Sequence, residues 1–374
     1  MRWQFTAEQE ALRGQIRDFL ASGVPARDDR QYFLGRGGAS REIYRAMGER
    51  GWLCLGWPVA FGGAGAGPST EFVVWDELAY ARAVRPDLAA GIVARTLITH
   101  GTPDQQDRFL ARIARGEVGF ALGYSEPEAG SDLAGVRTTA TVTADGYRVT
   151  GEKRWTSDAH NSSYLWLLCR TGRSGRPGRD LTLLIVDLTA PGVTIRPIRT
   201  IDGHRLNEVF LDDVVVPVRD RVGPEGGAWR LIREALAVER HLMVLPGRVR
   251  RDYEDLLRWA RRPDGPADAV ARAAVLDAAV DLAEVEAAAL TTVAAMERGG
   301  DGIVEAARAK LLASRAVQRM ARIPFDAGDV TATDLAGDQA FLWHETVMET
   351  IAGGTSEVML GMVARHGLGL GARS

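Results

Sequence analysis

The spacing of apolar residues changes period twice along this chain, and no other feature restricts the possible folds as strongly. Up to about residue 118 the pattern is helical. Thr6-Ala7-Glu8-Gln9 has the form of a capping box, after which Leu12, Ile16, Phe19 and Leu20 fall on one face. Thr102-Pro103 places a capping hydroxyl before a proline at the first helical position, and Phe109, Leu110 and Ile113 follow on one stripe. From about 119 to 222 the period becomes two. Val136, Thr138, Ala140 and Val142 alternate with other residues, Ala144-Asp145-Gly146 supplies a hairpin turn, and Tyr147-Arg148-Val149 begins the return. Leu165–Cys169, Leu181–Val186 and Val209–Leu211 read as further short strands. After Gly223, Ala, Leu, Val and Arg dominate 228–262, 267–297 and 303–322, as in the long helices of a bundle, and 324–338 reads as an irregular connection before a last helix. A Rossmann or barrel enzyme would alternate strand and helix throughout. The order helical, sheet, helical predicts an α+β multidomain chain with domains at 1–118, 119–222 and 223–374.

Composition narrows the function by exclusion. At 374 residues, 46% hydrophobic and 25% charged, the chain buries a core and is not disordered. No apolar run approaches the roughly 20 residues of a membrane span, and the N-terminus lacks the apolar centre of a signal peptide, so the expectation is a cytoplasmic protein. The 46 basic and 49 acidic residues, net charge −3, are scattered without a one-signed block, which argues against nucleic acid as partner. Lys stands only at 153 and 310; the arginine excess reads as genome composition. Cys54 and Cys169 have apolar neighbours and read as small core residues rather than a disulfide or metal site. The glycine cluster 61–67 follows no β-branched strand, so it reads as a connector into a helix starting near Ser69 rather than a nucleotide loop. His344-Glu345 has no histidine four positions after His344, the six histidines show no ligand spacing, and neither a nucleophile elbow nor a phosphate-binding Gly-Lys-Ser/Thr occurs; no metal is expected.

The chemistry lies in three segments. Leu122-Gly-Tyr-Ser-Glu-Pro-Glu-Ala-Gly-Ser-Asp-Leu-Ala-Gly135 resembles the first signature of the acyl-CoA dehydrogenase family, in which Ser/Thr-Glu-Pro is followed by Gly-Ser-Asp. Gly151-Glu-Lys-Arg-Trp-Thr-Ser157 resembles the family's Gly-x-Lys-x-Trp-x-Ser/Thr segment, and Gly353-Gly-Thr-Ser-Glu357, with Arg365 and Leu368-Gly369, resembles its C-terminal signature. Pro197-Ile198 and the run from Asn207 to Pro217 are similar to its last β segment. The resemblance covers essentially the whole chain. It implies helical, β-barrel-like and helical domains, FAD as cofactor, and α,β-dehydrogenation of an acyl-CoA or acyl-carrier thioester.

A reduced flavin carries negative charge that oriented N–H and O–H donors stabilise, and its ring needs an aromatic wall. By position in the motifs, the resemblance places Leu122, Gly123, Tyr124 and Ser125 at the pyrimidine edge, Thr156 and Ser157 near N5, Trp155 on the ring, and Ser131 beside the pantetheine arm of the substrate. The plainer alternatives are a core aromatic for Trp155 and turn chemistry for Ser125 and Ser131. Gly354, Thr355 and Glu357 match positions that meet the ADP part of FAD, although Gly-Gly-Thr-Ser also suits a helix cap. Arg262 stands in a degenerate form (Trp259 to Gly265) of a segment whose Arg reaches FAD across a dimer interface. The glycine-rich segment before the last helix is replaced by Phe325-Asp-Ala-Gly-Asp and its sequel. Similar shortening occurs in a bacterial branch of the family active on thioesters of bulky acids, including steroid side chains.

Dehydrogenation needs a carboxylate beside Cα, and desolvation raises its pKa towards neutrality. Many relatives carry that Glu immediately before the Gly-Thr of the C-terminal signature, where this chain has Gly353. Isovaleryl-CoA and long-chain acyl-CoA dehydrogenases instead carry it before an Arg on the first long helix of the C-terminal domain, and Ala237-Val238-Glu239-Arg240 stands there. The resemblance thus implies Glu239 as base, Arg240 at the substrate, and the Gly353 N–H on the thioester oxygen; an ordinary helical ion pair is the alternative for Glu239 and Arg240. The vacated side chain at 353 leaves room for a branched or bulky acyl group. Implied partners are an electron-transferring flavoprotein and further copies in a homodimer or homotetramer. Two other readings stay open: a flavin oxidase or monooxygenase on the same scaffold, and a non-catalytic subunit of a hetero-oligomer.

Overall fold

The computed structural model describes residues 3–23, 37–174, 177–238, 240–263, 265–266, 268–329, 332 and 337–371. In chain order its elements are α1 (Ala7–Ala21), α2 (Gly37–Gly48), α3 (Pro68–Tyr80), α4 (Ala94–His100), α5 (Pro103–Ala114), β1 (Phe120–Gly123), β2 (Thr139–Thr143), β3 (Gly146–Lys153), β4 (Tyr164–Arg170), β5 (Leu181–Asp187), β6 (Val193–Arg199), β7 (Arg205–Pro217), β8 (Arg221–Val222), α6 (Ala228–Val238), α7 (Pro246–Ala260), α8 (Ala269–Glu297), α9 (Ile303–Asp326), α10 (Asp338–Val347) and α11 (Ser356–Met362). They form two compact units, one of residues 1–29, 67–85 and 240–374, the other of residues 30–66 and 86–239.

The first unit is a helical bundle. At its start the capping box forms as read: the Gln9 amide donates to Thr6 Oγ1 at 3.2 Å and the Thr6 amide donates to Gln9 Oε1 at 3.0 Å. Its core joins Phe72 of α3 to Val249, Leu256 and Trp259 of α7, to Val285, Ala289 and Val293 of α8, and to Ala316, Val317 and Met320 of α9. Each large apolar side chain buried there contributes about 1.5–3 kcal/mol. Two expectations are corrected. The run 228–262 is not one helix: α6 stops at Val238, a 3₁₀ turn spans Arg240–Leu242, and α7 starts at Pro246. Proline lacks the N–H and forces its predecessor out of the helical region, and Leu245 is extended at φ −111°, ψ 100°. The irregular stretch begins later than 324, because α9 runs through Pro324 to Asp326. So near the end of a helix the ring removes one hydrogen bond, and its burial offsets that loss.

The second unit is built on the sheet, ordered β6-β7-β3-β2-β4-β5-β8, with β1 parallel to β4. β2 and β3 make the hairpin read from Ala144-Asp145-Gly146, with Thr143 opposite Gly146. Leu165, Leu167 and Cys169 of β4 pack with Leu184 and Val186 of β5 and with Tyr147 and Val149 of β3. Burial pushes the Cys169 thiol up to about 12, and both cysteines are free and buried. The β3–β7 ladder shifts register between Val149 and Gly151: Val149 faces Val214 but Gly151 faces Leu211. The extra residue therefore lies on β7, where Asp213 is left-handed at φ 53°. β3 keeps its own alternation, so Lys153 points to the same interior face as Tyr147 and Val149, with 0% exposure.

Candidate active site

The sheet unit brings two of the signature segments together. β1 ends at Gly123, where a Cβ would meet the Leu165 side chain at 2.8 Å, so only glycine lets the chain leave the strand so close to β4. The next residues lie against the end of β3, because the Arg154 amide donates to the Ser125 carbonyl at 2.9 Å. Ser125 is half-buried, and neither its N–H nor its hydroxyl has a partner among the described residues.

On the β3 side the chain turns sharply. Trp155 is left-handed at φ 62° and 50% exposed, with the Arg154 guanidinium 5.0 Å from its ring centroid. A bulky residue holds that conformation only where its surroundings impose it. Asn207 of β7 imposes it: the Thr156 amide donates to the Asn207 carbonyl at 2.9 Å, the Asn207 amide donates back at 3.1 Å, and Asn207 Nδ2 donates to the Thr156 carbonyl at 2.9 Å. Thr156 is 2% exposed, yet its Oγ1 is buried without a partner, and Ser157 is exposed. Polar atoms left so in a well-made interior call for an explanation, and a bound ligand is one.

Beneath this turn lies an ion pair that charge statistics would place on the surface. Lys153 Nζ donates to Glu126 Oε1 at 2.7 Å and to the Tyr124 carbonyl at 3.2 Å. The amides of Arg137 and Thr138 donate to the Glu126 carboxylate at 2.6 and 2.9 Å. Burial works to raise the Glu126 pKa, but the Lys153 charge and these donors together hold it below the usual carboxylate value; burial lowers Lys153, against the pull of Glu126. Glu126, Lys153 and Asn207 were not among the expected site residues. The signal was present, since all three stand inside the quoted motifs.

The bundle unit carries most of the remaining candidates. Gly353 (φ 68°) and Gly354 (φ 101°) are both left-handed; a Cβ at 353 would meet nothing within 4 Å, whereas one at 354 would lie 2.4 Å from Met359 Cε. Thr355 caps α11, its Oγ1 accepting from the Val358 amide at 3.2 Å, which is the helix-cap alternative realised. Glu357 is exposed in the first turn of that helix. The turn before the glycines is anchored by charge. Arg248 pairs with Glu345 and Glu349, Lys310 Nζ donates to Glu349 Oε2 at 3.2 Å, and Ser314 Oγ donates to the Glu349 carbonyl at 2.8 Å. Arg240 Nη1 donates to the Asp301 carbonyl at 2.6 Å, and the neighbouring His241 is buried, 3.1 Å from Glu71. Arg262 and Ser131 are exposed, in the turn after α7 and in the loop after β1. Leu122 is half-buried in β1. Glu239 lies outside the described residues.

The family is settled by comparison with known proteins. Family models described as the acyl-CoA dehydrogenase N-terminal, middle and C-terminal domains match residues 6–117, 121–214 and 226–368. The chain belongs to the acyl-CoA dehydrogenase family, a class of flavoprotein oxidoreductases whose cofactor is FAD. Within it, the chain is 35% identical over 383 residues to acyl-CoA dehydrogenase FadE29 of Mycobacterium tuberculosis, covering 97% of each. Among solved structures it is similar to the Tcur3481-Tcur3483 steroid ACAD (TM-score 0.92, 30% identity, 99% of this chain and 100% of that one). It is likewise similar to the ChsE4-ChsE5 complex from Mycobacterium tuberculosis (TM-score 0.89, 31% identity, 99% and 100%). The expected fold class, helical then sheet then helical, and the expected enzyme class are those of the family. The residues present fit the cofactor: Ser125 offers an N–H and a hydroxyl with no partner among the described residues, and the half-exposed Trp155 stands next to Arg154, whose amide holds the Ser125 carbonyl. No helix among the described residues is long and apolar enough to cross a membrane.

Proposed function

We propose that this chain is an FAD-dependent dehydrogenase that introduces the 2,3 double bond into a CoA or carrier thioester of a bulky acid. The observation that carries the reading is the pair of partnerless donors on Ser125 beside an aromatic ring held outward by a left-handed backbone. FAD, when bound, accepts the hydride that leaves Cβ. The chain's own residues do the rest. Glu239, which precedes Arg240 as the base of the isovaleryl type precedes an Arg, takes the Cα proton. The Gly353 amide donates to the thioester oxygen and so acidifies Cα, with no side chain at that position to fill the space beside the acyl group. Ser125 and its neighbours bind the pyrimidine edge, Trp155 walls the ring, and Thr156 and Ser157 serve the N5 side. Gly354, Thr355, Glu357 and Arg262 belong to the ADP part, Ser131 and Arg240 to the substrate. The substrate class follows the similarity to the Tcur3481-Tcur3483 steroid ACAD. Electrons leave through an electron-transferring flavoprotein, and the product is the 2,3-enoyl thioester.

The test is a titration of purified protein with a panel of acyl-CoAs, straight-chain to polycyclic, following bleaching of the flavin band. The bulky thioesters bleach it and Glu239→Gln abolishes the bleaching. Bleaching that survives the substitution removes Glu239 from the mechanism, and no bleaching with any thioester removes the reaction.

A second reading concerns assembly. Two similar structures carry paired names, Tcur3481-Tcur3483 and the ChsE4-ChsE5 complex. That favours a hetero-oligomer with a second, related subunit over the homodimer or homotetramer. Native mass spectrometry of the chain purified alone decides: a stable FAD-loaded homo-oligomer rejects the mixed assembly.

A further inference from the structure

Why a lysine and a glutamate are buried under the cradle, rather than a pair of apolar residues, is unexplained by the roles assigned above. Replacing a buried ion pair by well-packed apolar side chains is often neutral or stabilising, so stability alone does not account for it. The geometry does. Lys153 Nζ holds the Tyr124 carbonyl at 3.2 Å from the interior side. A trans peptide is planar, with the C=O of one residue antiparallel to the N–H of the next. With the Tyr124 oxygen drawn inward, the Ser125 N–H is turned the opposite way, out of the sheet interior. The far side of Ser125 is fixed as well, its carbonyl taken by the Arg154 amide at 2.9 Å. Glu126 completes the clamp: it holds Lys153 in place through the 2.7 Å hydrogen bond, and it is itself seated by the Arg137 and Thr138 amides. The result is an N–H donor aimed outward with no acceptor of its own among the described residues.

We infer that Lys153 is a positioning residue that, through the Tyr124–Ser125 peptide, aims the Ser125 N–H at the flavin and so favours the reduced, anionic cofactor over the oxidised one. This rests on the proposed FAD reading. A donor fixed before charge develops stabilises that charge without reorganisation, whereas a peptide free to rotate does not. The clamp therefore acts on the difference between the two redox states more than on binding as such.

The experiment measures FAD affinity in both redox states, and hence the midpoint potential of the bound flavin, for native protein and for Lys153→Met. Because Lys153→Met leaves Glu126 buried without its partner, Lys153→Met/Glu126→Gln is measured beside it, and circular dichroism verifies the fold. The expected result is that both variants lose about tenfold more affinity for reduced than for oxidised FAD, a fall in potential of roughly 30 mV for this two-electron couple. Glu126→Gln alone, which keeps the amine on the Tyr124 carbonyl, shows a smaller fall. Folded variants that bind FAD with an unchanged ratio of the two affinities overturn the inference, and so does an equal loss in both states, which would mark the pair as structural only. Native protein that binds no FAD overturns the parent reading instead, so the two failures are distinguishable.

Discussion

Thr156 and Asn207 are joined three times: each amide donates to the other's carbonyl, at 2.9 and 3.1 Å, and Asn207 Nδ2 adds a third bond to the Thr156 carbonyl at 2.9 Å. Asn207 is fully buried, and its Nδ2 also lies 3.2 Å from His160 Nδ1. Truncating it leaves a cavity and removes the side-chain bonds that brace the turn. Asn207→Ala therefore costs about 2–3 kcal/mol in urea unfolding. It also weakens FAD binding, measured by quenching of flavin fluorescence, since the turn it braces carries Trp155 and Ser157. Loss of stability with FAD affinity intact would show that the turn is not part of the cofactor site.

Trp155 holds a strained backbone on the surface. A left-handed tryptophan costs roughly 1–2 kcal/mol relative to the ordinary backbone, and glycine relieves that cost while losing up to about 1 kcal/mol in unfolded-state entropy. Trp155→Gly is expected to leave the FAD-free protein as stable as native or about 1 kcal/mol more stable, with FAD affinity at least about tenfold lower. A clear fall in apo stability would mean that the indole packs as core, which its 50% exposure argues against.

Gly353 has room for a side chain but the wrong backbone for one. Nothing lies within 4 Å of a Cβ there, while φ is 68°. Gly353→Glu thus costs about 1 kcal/mol of strain without a clash. Placed on a background of Glu239→Gln, it is expected to restore part of the flavin bleaching lost by the single variant, and more for straight-chain than for polycyclic thioesters, because the new side chain occupies the space proposed for bulk. Equal restoration for both classes would count against that space.

Asp76 gives the bundle a pH signature. Burial raises its pKa from 3.8 to about 6, against the charge of Arg250 and a hydrogen bond from the Gly247 amide at 2.6 Å. The folded state then binds this proton more tightly than the unfolded chain between pH 4 and 6. The cost of holding Asp76 ionised is full above pH 6 and disappears as pH falls through that window; the difference corresponds to roughly 3 kcal/mol. In urea unfolding at a series of pH values, the native-minus-variant stability difference for Asp76→Asn should grow as pH drops from 7 to 4. A difference independent of pH would place the titration elsewhere.

How far the sequence carried the reading differs from residue to residue. Thr6 with Gln9, Thr102 before Pro103, and the hairpin at Ala144-Asp145 depend on contacts within a few residues, so local pattern was enough. The signature segments also carry Ser125, Trp155 and Ser157 at fixed offsets, which is why a local pattern could single them out. Local pattern misread 228–262, where composition is uniformly helical and the single Pro246 outweighs it. It also left Thr355 between two roles, of which the structure shows the cap.

By itself, the sequence determined the order of helical and sheet regions, the family and the residue types of its signature segments, since each is written in spacing over a few to a dozen positions. Only the tertiary structure decided that Lys153 and Glu126 face inward and meet under Tyr124, and that Asn207 holds Trp155 in its left-handed turn. Those pairings join residues 27 and 51 apart in the chain. They arise when segments distant in sequence are set side by side in the sheet, and such a register is fixed by burial across the whole sheet rather than by any neighbour in sequence.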